Sequence, residues 1–172
     1  MKMREPVLYI MVGCSGSGKS TIAEAICRTY KDTYLVSLDN FRKLLCNDVN
    51  CQSKNKQVFD RAYLTMNYFL KLGCNVVFDA TNVSAIDRNK LIKKVEIDCE
   101  IKFIYVKVDL RVALDRVKSR TNGQVVPEDV VISQYEKLQY SEKYLLNCPF
   151  DVIVIKNNKE IDVKTIDKLL FT

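Results

Sequence analysis

The spacing that most clearly predicts chemistry lies in a glycine- and serine-rich segment near the start of the chain. The segment reads GCSGSGKS from Gly13 to Ser20, and it fills every position of the phosphate-binding P-loop pattern. Its glycines permit the tight turn that aims successive backbone N–H groups at an anion. Lys19 can reach the β- and γ-phosphates, and the Ser20 hydroxyl can ligate Mg²⁺. The pattern therefore predicts a nucleoside triphosphate site that uses ATP, or another NTP, and Mg²⁺.

The surroundings of this segment favour that interpretation over a plain glycine- and serine-rich turn. An apolar run, Val7–Val12, precedes it as a buried parallel strand would, and the residues after Lys19 carry apolar side chains at helical spacing. The N-terminus of such a helix adds partial positive charge beside the phosphates. The expected nucleotide-binding residues of the loop are Gly13, Ser15, Gly16, Ser17, Gly18, Lys19, Ser20 and Thr21.

Apolar runs and helical patterns alternate along the rest of the chain. The predicted strands are Val7–Val12, Thr33–Leu38, Cys74–Phe78, Ile101–Val108 and Val152–Ile155. The predicted helices begin near Lys19, Asp39, Gln57, Ser84, Asp109 and Pro127, and a short final helix ends near Leu170. This alternation predicts a parallel sheet covered on both faces. We expect a single α/β domain over residues 1–172, with a three-layer α/β/α P-loop kinase fold, five parallel strands and a helical lid.

Two further groups of polar side chains are expected beside the P-loop. Asp39 and Arg42 come after the second strand, and Asp79, Thr81 and Asn82 come after the third. Ligands of open α/β sheets gather at the carboxyl ends of the strands, so these residues are candidates for an acceptor site. Because the chain has no histidine, another group must move the proton, and Asp39 is our candidate for the catalytic base. An N-cap of the following helix and a Mg²⁺ ligand are its alternative roles.

Arg42 lies three residues after Asp39, so both side chains are expected on the same side of a helix. An arginine there can hold a phosphate of the acceptor, whereas the alternative is a surface arginine. Asp79 is expected to orient Arg42 or to lie near the metal. Thr81 and Asn82 offer hydrogen bonds to the acceptor. We therefore interpret Arg42, Asp79, Thr81 and Asn82 as substrate-binding residues.

A pair of arginines four residues apart predicts a lid. Arg116 and Arg120 share one side of a predicted helix near its end, and the polar stretch Ser119–Val126 follows. Arginines on a closing segment can stabilise charge that develops on the γ-phosphoryl group and can help to exclude water. We expect Arg120 to be catalytic together with Lys19, and both arginines to bind the nucleotide. A solvated basic face that includes Lys118 is the alternative.

Composition narrows the chemistry and the partners. The absence of histidine excludes Ser-His and Cys-His nucleophile systems and histidine-ligated metals. The seven cysteines include no CxxC pair, which indicates free thiols in a reducing compartment, so we expect a cytoplasmic location. No apolar run has the length of a membrane span, so no membrane association is expected. The formal net charge of +6 suits a polyanionic partner such as nucleic acid, and an inert basic surface is the alternative.

The order of these motifs resembles the kinase domain of phage-type polynucleotide 5′-kinases, within the adenylate-kinase-like group of P-loop phosphotransferases. The shared pattern is the P-loop, then Asp-x-x-Arg at Asp39 and Arg42, then Asp79 with Thr81 and Asn82, then Arg-x-x-x-Arg with a later Val-Pro. It covers about residues 7–140. The resemblance implies transfer of the γ-phosphate of ATP, with Mg²⁺, to a 5′-hydroxyl end of RNA or DNA, and a part in nucleic acid repair.

The resemblance also implies a role for each matching residue. Lys19 and Ser20 match the donor-phosphate and metal residues. Asp39 matches the general base, and Arg42 matches the arginine that contacts the 3′-phosphate of the acceptor. Arg120 matches the lid arginine on the donor phosphates, with the preceding arginine of the pair as its companion.

One departure from the family pattern affects the acceptor site. Ala80 separates Asp79 from Thr81 here, whereas the phage enzymes usually have the aspartate and the threonine adjacent. Two rival functions accompany this interpretation. The first is a small-molecule kinase for a nucleoside, a sugar, an antibiotic or the serine of an aminoacyl-tRNA, and the second is a regulatory protein that binds NTP without catalysis. Arg42 favours a phosphate-bearing acceptor, and Asp39 favours transfer over binding alone.

Overall fold

The computed structural model describes residues 5–159, and the predicted final helix near Leu170 lies outside this range. The strands within the range are β1 (Val7–Val12), β2 (Thr33–Ser37), β3 (Asn75–Asp79), β4 (Glu100–Lys107) and β5 (Asp151–Lys156). The helices are α1 (Lys19–Thr29), α2 (Leu38–Cys46), α3 (Asn55–Lys71), α4 (Ala85–Ile92), α5 (Leu110–Lys118) and α6 (Glu128–Leu146). The predicted three-layer α/β/α fold around a five-stranded parallel sheet is confirmed.

The strands pair in the order β2-β3-β1-β4-β5, and every described pairing is parallel. β1 therefore lies at the centre of the sheet, and all six of its residues are buried. Tyr9 pairs with Val77, and Ser37 pairs with Asp79. This register brings the ends of β1, β2 and β3 to the same edge of the sheet.

Two apolar clusters cover the two faces of the sheet. Successive residues of a strand point to opposite faces, so β1 gives its even-numbered side chains to one cluster and its odd-numbered side chains to the other. Helix α3 packs on the first face through Met66 and Leu70, and α1 packs on the second through Ile22 and Ile26. Both helices are amphipathic, and the apolar stripe of each is what the sheet buries.

A smaller cluster lies beneath the P-loop. It joins Cys14 to Val108, to Ala113 and Val117 of α5 and to Val131 of α6. Burial raises the pKa of the Cys14 thiol. Cys14 therefore fills space under the loop as a neutral side chain, and α5 and α6 support the loop from below.

Two helix starts differ from the sequence prediction. The N-cap of α2 is Ser37, whose hydroxyl accepts a hydrogen bond from the N–H of Asn40 at 3.5 Å. The suggestion that Asp39 is this N-cap is therefore wrong, because Asp39 lies in the first turn of α2. Helix α3 begins at Asn55, two residues before its predicted start. The predicted N-cap Ser84 is confirmed by its hydrogen bond from the N–H of Asp87 at 3.1 Å.

Gly16 is expected to tolerate alanine poorly, and Gly123 offers a matched control. Gly16 has a φ of +82°, and a Cβ there would run into the carbonyl group of Ala113. Gly123 has a φ of +78°, but nothing lies within 4 Å of its added Cβ. Left-handed strain alone should lower the free energy of unfolding of Gly123→Ala by about 1 kcal/mol. The added clash should bring the loss in Gly16→Ala to about 3 kcal/mol.

Urea unfolding of the two variants and the unmodified chain measures this difference. Equal losses in both variants would show that the contact between Gly16 and α5 does not restrict the loop.

Candidate active site

The loops after β1, β2 and β3 surround one cavity of about 1140 Å³, and the segment between α5 and α6 covers its other side. We call residues 119–127 the lid segment. The sequence-predicted residues that line the cavity are Ser15, Lys19, Ser20, Asp39, Arg42, Asp79, Thr81, Asn82 and Arg120. The fold therefore brings the candidate base, the candidate acceptor residues and one lid arginine together beside the P-loop.

The P-loop ends at the N-terminus of α1, which has no side-chain cap. Its N-cap residue is Gly18, which has a φ of 90° and no side chain to accept a hydrogen bond from the first turn. The N–H groups of a first helical turn have no partner within the helix, so they suit an anion such as phosphate. Thr21 is exposed in this turn, whereas Ser17 is buried and its hydroxyl has no hydrogen-bond partner among the described residues.

Two long-range hydrogen bonds hold the P-loop in place. The N–H of Gly13 donates to the carbonyl of Thr81 at 3.0 Å, and the N–H of Ser15 donates to Oε1 of Gln134 at 2.8 Å. Gln134 lies on α6, and it also lines the cavity. The sequence analysis missed Gln134, because a glutamine on a polar helix face belongs to no motif.

Lys19 and Asp79 are opposite charges buried close to each other. The ammonium group of Lys19 donates to the carbonyl of Cys14 at 3.0 Å. Burial lowers the pKa of Lys19, and the Asp79 carboxylate opposes that shift most strongly. Burial also raises the pKa of Asp79, and the charge of Lys19 and a hydrogen bond with Ser20 oppose it. Each charge therefore reduces the cost of burying the other.

Ser20 and Asp79 provide oxygen atoms that fit Mg²⁺. Both side chains line the cavity together with Lys19, and the serine hydroxyl lies close enough to the carboxylate to lower its pKa. Mg²⁺ is usually held by one or two protein oxygens together with waters and substrate phosphates. Ser20 would hold the ion as predicted, with Asp79 next to it. Within residues 5–159, no cluster of three or more His, Cys, Asp or Glu side chains forms a metal site.

Asp39 and Arg42 form an ion pair inside the cavity. Nη1 of Arg42 donates to Oδ1 of Asp39 at 2.6 Å, so the two side chains share one side of α2 as predicted. The Arg42 side chain is 15% exposed, and the Asp39 side chain is 42% exposed. The side chain of Asp39 is therefore more open to the cavity than that of Arg42. Nε of Arg42 is buried and has no hydrogen-bond partner among the described residues, which leaves this arginine an unused donor.

The lid segment contacts Asp39 through Gln124. Nη1 of Arg120 donates to Oε1 of Gln124 at 2.8 Å, and Nε2 of Gln124 donates to Oδ2 of Asp39 at 2.6 Å. Burial lowers the pKa of Arg120, and the Asp39 carboxylate opposes that shift. One amide group therefore links the lid arginine to the candidate base. Sequence analysis also missed Gln124, which no periodic pattern or motif marks.

Arg116 points away from the cavity and contacts the P-loop backbone. Its Nη1 donates to the carbonyl of Asn157 at 2.8 Å and to that of Gly16 at 3.5 Å. Asn157 in turn donates from Nδ2 to the carbonyl of Ser17 at 2.7 Å. Arg116 and Asn157 thus support the loop from its outer side. The expected contact of Arg116 with the nucleotide stays a prediction.

Thr81 and Asn82 occupy the turn after β3, and their surroundings differ. Asn82 has a φ of 45°, is buried, and donates from Nδ2 to the carbonyl of Met11 at 2.8 Å. Its own carbonyl accepts from Nη1 of Arg88 at 2.9 Å. Asn82 therefore ties this turn to β1. The carbonyl of Thr81 is bonded to Gly13, and Thr81 is only partly buried at the cavity surface.

We call the part of the cavity lining supplied by α3, α4 and Lys94 the outer wall, and it combines aromatic and charged side chains. Phe59 and Tyr63 lie on α3 with ring centroids 5.8 Å apart, and both line the cavity. The charged residues of this outer wall are Lys56, Asp60, Asp87, Lys90 and Lys94. The three lysines exceed the two carboxylates, so this wall has a small excess of positive charge.

Among the described residues, no helix is both long enough and apolar enough to cross a membrane.

Comparison with known sequences gives a family and several curated relatives. The model of the AAA domain family matches residues 8–143. The adenylyl-sulfate kinase of Aeromonas hydrophila subsp. hydrophila is 26% identical over 156 residues, which cover 86% of this chain and 79% of that kinase. The adenylyl-sulfate kinase of Shewanella halifaxensis is 46% identical over a shorter segment of 52 residues, which covers 28% of this chain and 25% of that kinase.

Solved structures with similar folds include a chain of an RNA repair complex and a sugar kinase. A chain of the Pnkp1/Rnl/Hen1 RNA repair complex has a TM-score of 0.75 and 25% identity, over 82% of this chain and 46% of that chain. This chain thus spans less than half of the repair-complex chain. A sugar kinase from Janibacter sp. HTCC2649 has a TM-score of 0.67 and 17% identity, over 97% of this chain and 91% of that kinase. At that identity the likeness shows the fold alone.

Replacement of Lys19 by methionine is expected to abolish nucleotide-dependent activity. Methionine has a similar length but no charge, so the loop would lose the ammonium group that is predicted to contact the phosphates. Equilibrium binding of ATP and turnover of ATP would measure the loss, which we expect to exceed about 10²-fold in turnover.

Lys31→Met is the matched control, because Lys31 is exposed after α1 and outside the cavity. Turnover that persists in Lys19→Met would contradict the assignment of the P-loop as the nucleotide site.

Proposed function

We propose that this chain, which belongs to the AAA domain family through residues 8–143, is an ATP- and Mg²⁺-dependent kinase that phosphorylates the 5′-hydroxyl end of nucleic acid. The family match, the adenylyl-sulfate kinases and the repair-complex chain support a P-loop phosphotransferase. The Asp39–Arg42 pair, which lies in one cavity with Lys19, carries the narrower proposal. A base beside a phosphate-binding arginine suits an acceptor that has both a hydroxyl and a phosphate.

The cavity residues have complementary tasks in this reaction. The 5′ oxygen of the acceptor forms a bond to the γ-phosphorus, and the bond from that phosphorus to the oxygen bridging it to the β-phosphate breaks. Asp39 takes the proton of the 5′-hydroxyl on its exposed carboxylate. Lys19 and Arg120 stabilise negative charge on the phosphoryl oxygens. Bound Mg²⁺ beside Ser20 would neutralise further phosphate charge.

The outer wall supports a nucleotide chain as the acceptor. Phe59 and Tyr63 offer aromatic surface on which a base can stack, and stacking on an aromatic ring tolerates any base. Lys56, Lys90 and Lys94 add positive charge where further phosphates of a chain would lie. The cavity volume of about 1140 Å³ also leaves room for more than a small sugar.

Adenylyl sulfate is the second candidate acceptor. The 26% identity to the Aeromonas hydrophila enzyme extends over 79% of that kinase and favours this candidate. Adenylyl sulfate combines a nucleotide with negative charge, so Arg42 and the aromatic wall suit it as well. A sugar acceptor is supported by fold similarity alone. A protein that binds NTP without catalysis would need no base, so that function does not explain Asp39 in the cavity.

A panel of acceptors with γ-labelled ATP tests the proposal. The panel contains 5′-hydroxyl oligonucleotides of RNA and DNA, nucleoside 3′-phosphates, free nucleosides, adenylyl sulfate and sugars. We expect label at the 5′ end of oligonucleotides. Arg42→Ala should lower kcat/KM about tenfold or more for acceptors with a 3′-phosphate and much less for free nucleosides, because it removes a charged hydrogen bond.

Lys43→Ala is the control in the panel, because Lys43 is the exposed neighbour of Arg42. Label on adenylyl sulfate alone would replace the proposal with the second candidate. Equal losses of Arg42→Ala on all acceptors would argue against a phosphate contact, and no transfer to any acceptor would indicate a binding protein.

Asp39→Asn is expected to separate catalysis from binding. Asparagine keeps the size of the side chain but cannot take the proton, so transfer to the acceptor should fall by about 10² or more. The affinity for ATP should stay close to that of the unmodified chain. Single-turnover transfer and ATP binding are the two measurements, with Asp98→Asn, on an exposed loop, as the matched control. An unchanged transfer rate would show that Asp39 is not the base.

A further inference from the structure

The lid segment holds one oxygen of the proposed base. Nε2 of Gln124 donates to Oδ2 of Asp39 at 2.6 Å. Arg42 donates to the other oxygen, Oδ1, at 2.6 Å. The two oxygens of the carboxylate are therefore fixed from two different elements, one from α2 and one from the lid segment.

The position of Gln124 is itself fixed by contacts on both sides of it. Nδ2 of Asn50 donates to the carbonyl of Gly123 at 3.2 Å, and Oδ1 of Asn50 accepts from the N–H of Val125 at 2.9 Å. The N–H of Gln124 donates to Oδ1 of Asn122 at 3.1 Å. Asn50 lies in the connection between α2 and α3, so it ties the lid segment to this connection. These bonds flank Gln124, whose side chain reaches Asp39.

We infer that Gln124 is a positioning residue that aligns Asp39 for proton transfer while the lid segment is closed. The inference rests on the proposed function, in which Asp39 is the base. A carboxylate oxygen can accept two hydrogen bonds, and the Asp39 side chain is 42% exposed. The acceptor hydroxyl therefore has a place on Asp39 beside Gln124. A base that is oriented by further groups is the usual arrangement where proton transfer must be efficient.

The same amide also couples Asp39 to Arg120. Oε1 of Gln124 accepts from Arg120 at 2.8 Å within the lid segment, so these two side chains would approach Asp39 together. Opening of the lid segment would carry both of them away from Asp39. A site that is complete only when closed transfers the phosphoryl group to the bound acceptor and limits transfer to water.

A double-mutant cycle tests whether Gln124 acts through Asp39. Gln124→Met keeps the length of the side chain and removes its amide. In the otherwise unmodified chain it should lower kcat about tenfold or more and leave KM for ATP unchanged, because it removes a hydrogen bond to a charged group. In the Asp39→Asn background, the same change should lower kcat less than about twofold, since the base is already absent. Thr121→Ala, at an exposed position of the lid segment, is the control.

Equal fold losses in both backgrounds would overturn the inference, because Gln124 would then act on the lid segment or on Arg120 independently of Asp39. A higher kcat in Gln124→Met would overturn it too, since Gln124 would then block the position of the acceptor hydroxyl.

Hydrogen exchange gives a readout that needs no acceptor. Exchange of the amides in residues 119–127 should become faster in Gln124→Met and in Asp39→Ala. The double variant should exchange no faster than the single variants. Unchanged exchange would show that the contact does not hold the lid segment closed. If the panel finds transfer to adenylyl sulfate instead of oligonucleotides, the proposed function fails, and the cycle run with adenylyl sulfate still decides the role of Gln124.

Discussion

The parallel pairing of β1 between β3 and β4 is the constraint on which the rest of the site depends. β1 is buried on both faces, and a shift of its register by one residue would exchange the side chains of the two apolar clusters. The register that avoids this places Ser37 beside Asp79 at the edge where β1 also ends. The P-loop, Asp39 and Asp79 surround one cavity because three apolar strands must be buried together.

Lys19 and Asp79 place two buried opposite charges beside the P-loop. Burial disfavours the charged form of each group, and the opposite charge of its neighbour offsets part of that cost. A fixed ammonium group with little water around it stabilises phosphate charge more strongly than one in bulk solvent. The hydrogen bond from Lys19 to the carbonyl of Cys14 holds that group at the P-loop, where it is predicted to contact the phosphates.

The side of the cavity at the P-loop and the side formed by α2, α3 and the lid segment support different parts of the functional proposal. The P-loop half meets the general requirements of phosphoryl transfer, and the similarity of this chain to an adenylyl-sulfate kinase agrees with that. The proposed acceptor half is formed by Arg42, Phe59 and Tyr63 together with the lid segment. Under the proposed function, acceptor specificity would therefore depend on α2, α3 and the lid segment rather than on the P-loop.

Local spacing and apolar periodicity were enough to predict the alternating α/β fold, the P-loop, and the placement of Asp39 and Arg42 after β2. The contacts of Gln124 with Asp39 and of Gln134 with Ser15 become visible in the folded chain alone, since these pairs are 85 and 119 residues apart. Packing also turns Arg116 towards the carbonyls of Gly16 and Asn157, and Asn82 towards β1. A polar side chain in a loop carries no periodic signal, and its partner is set by how distant elements pack.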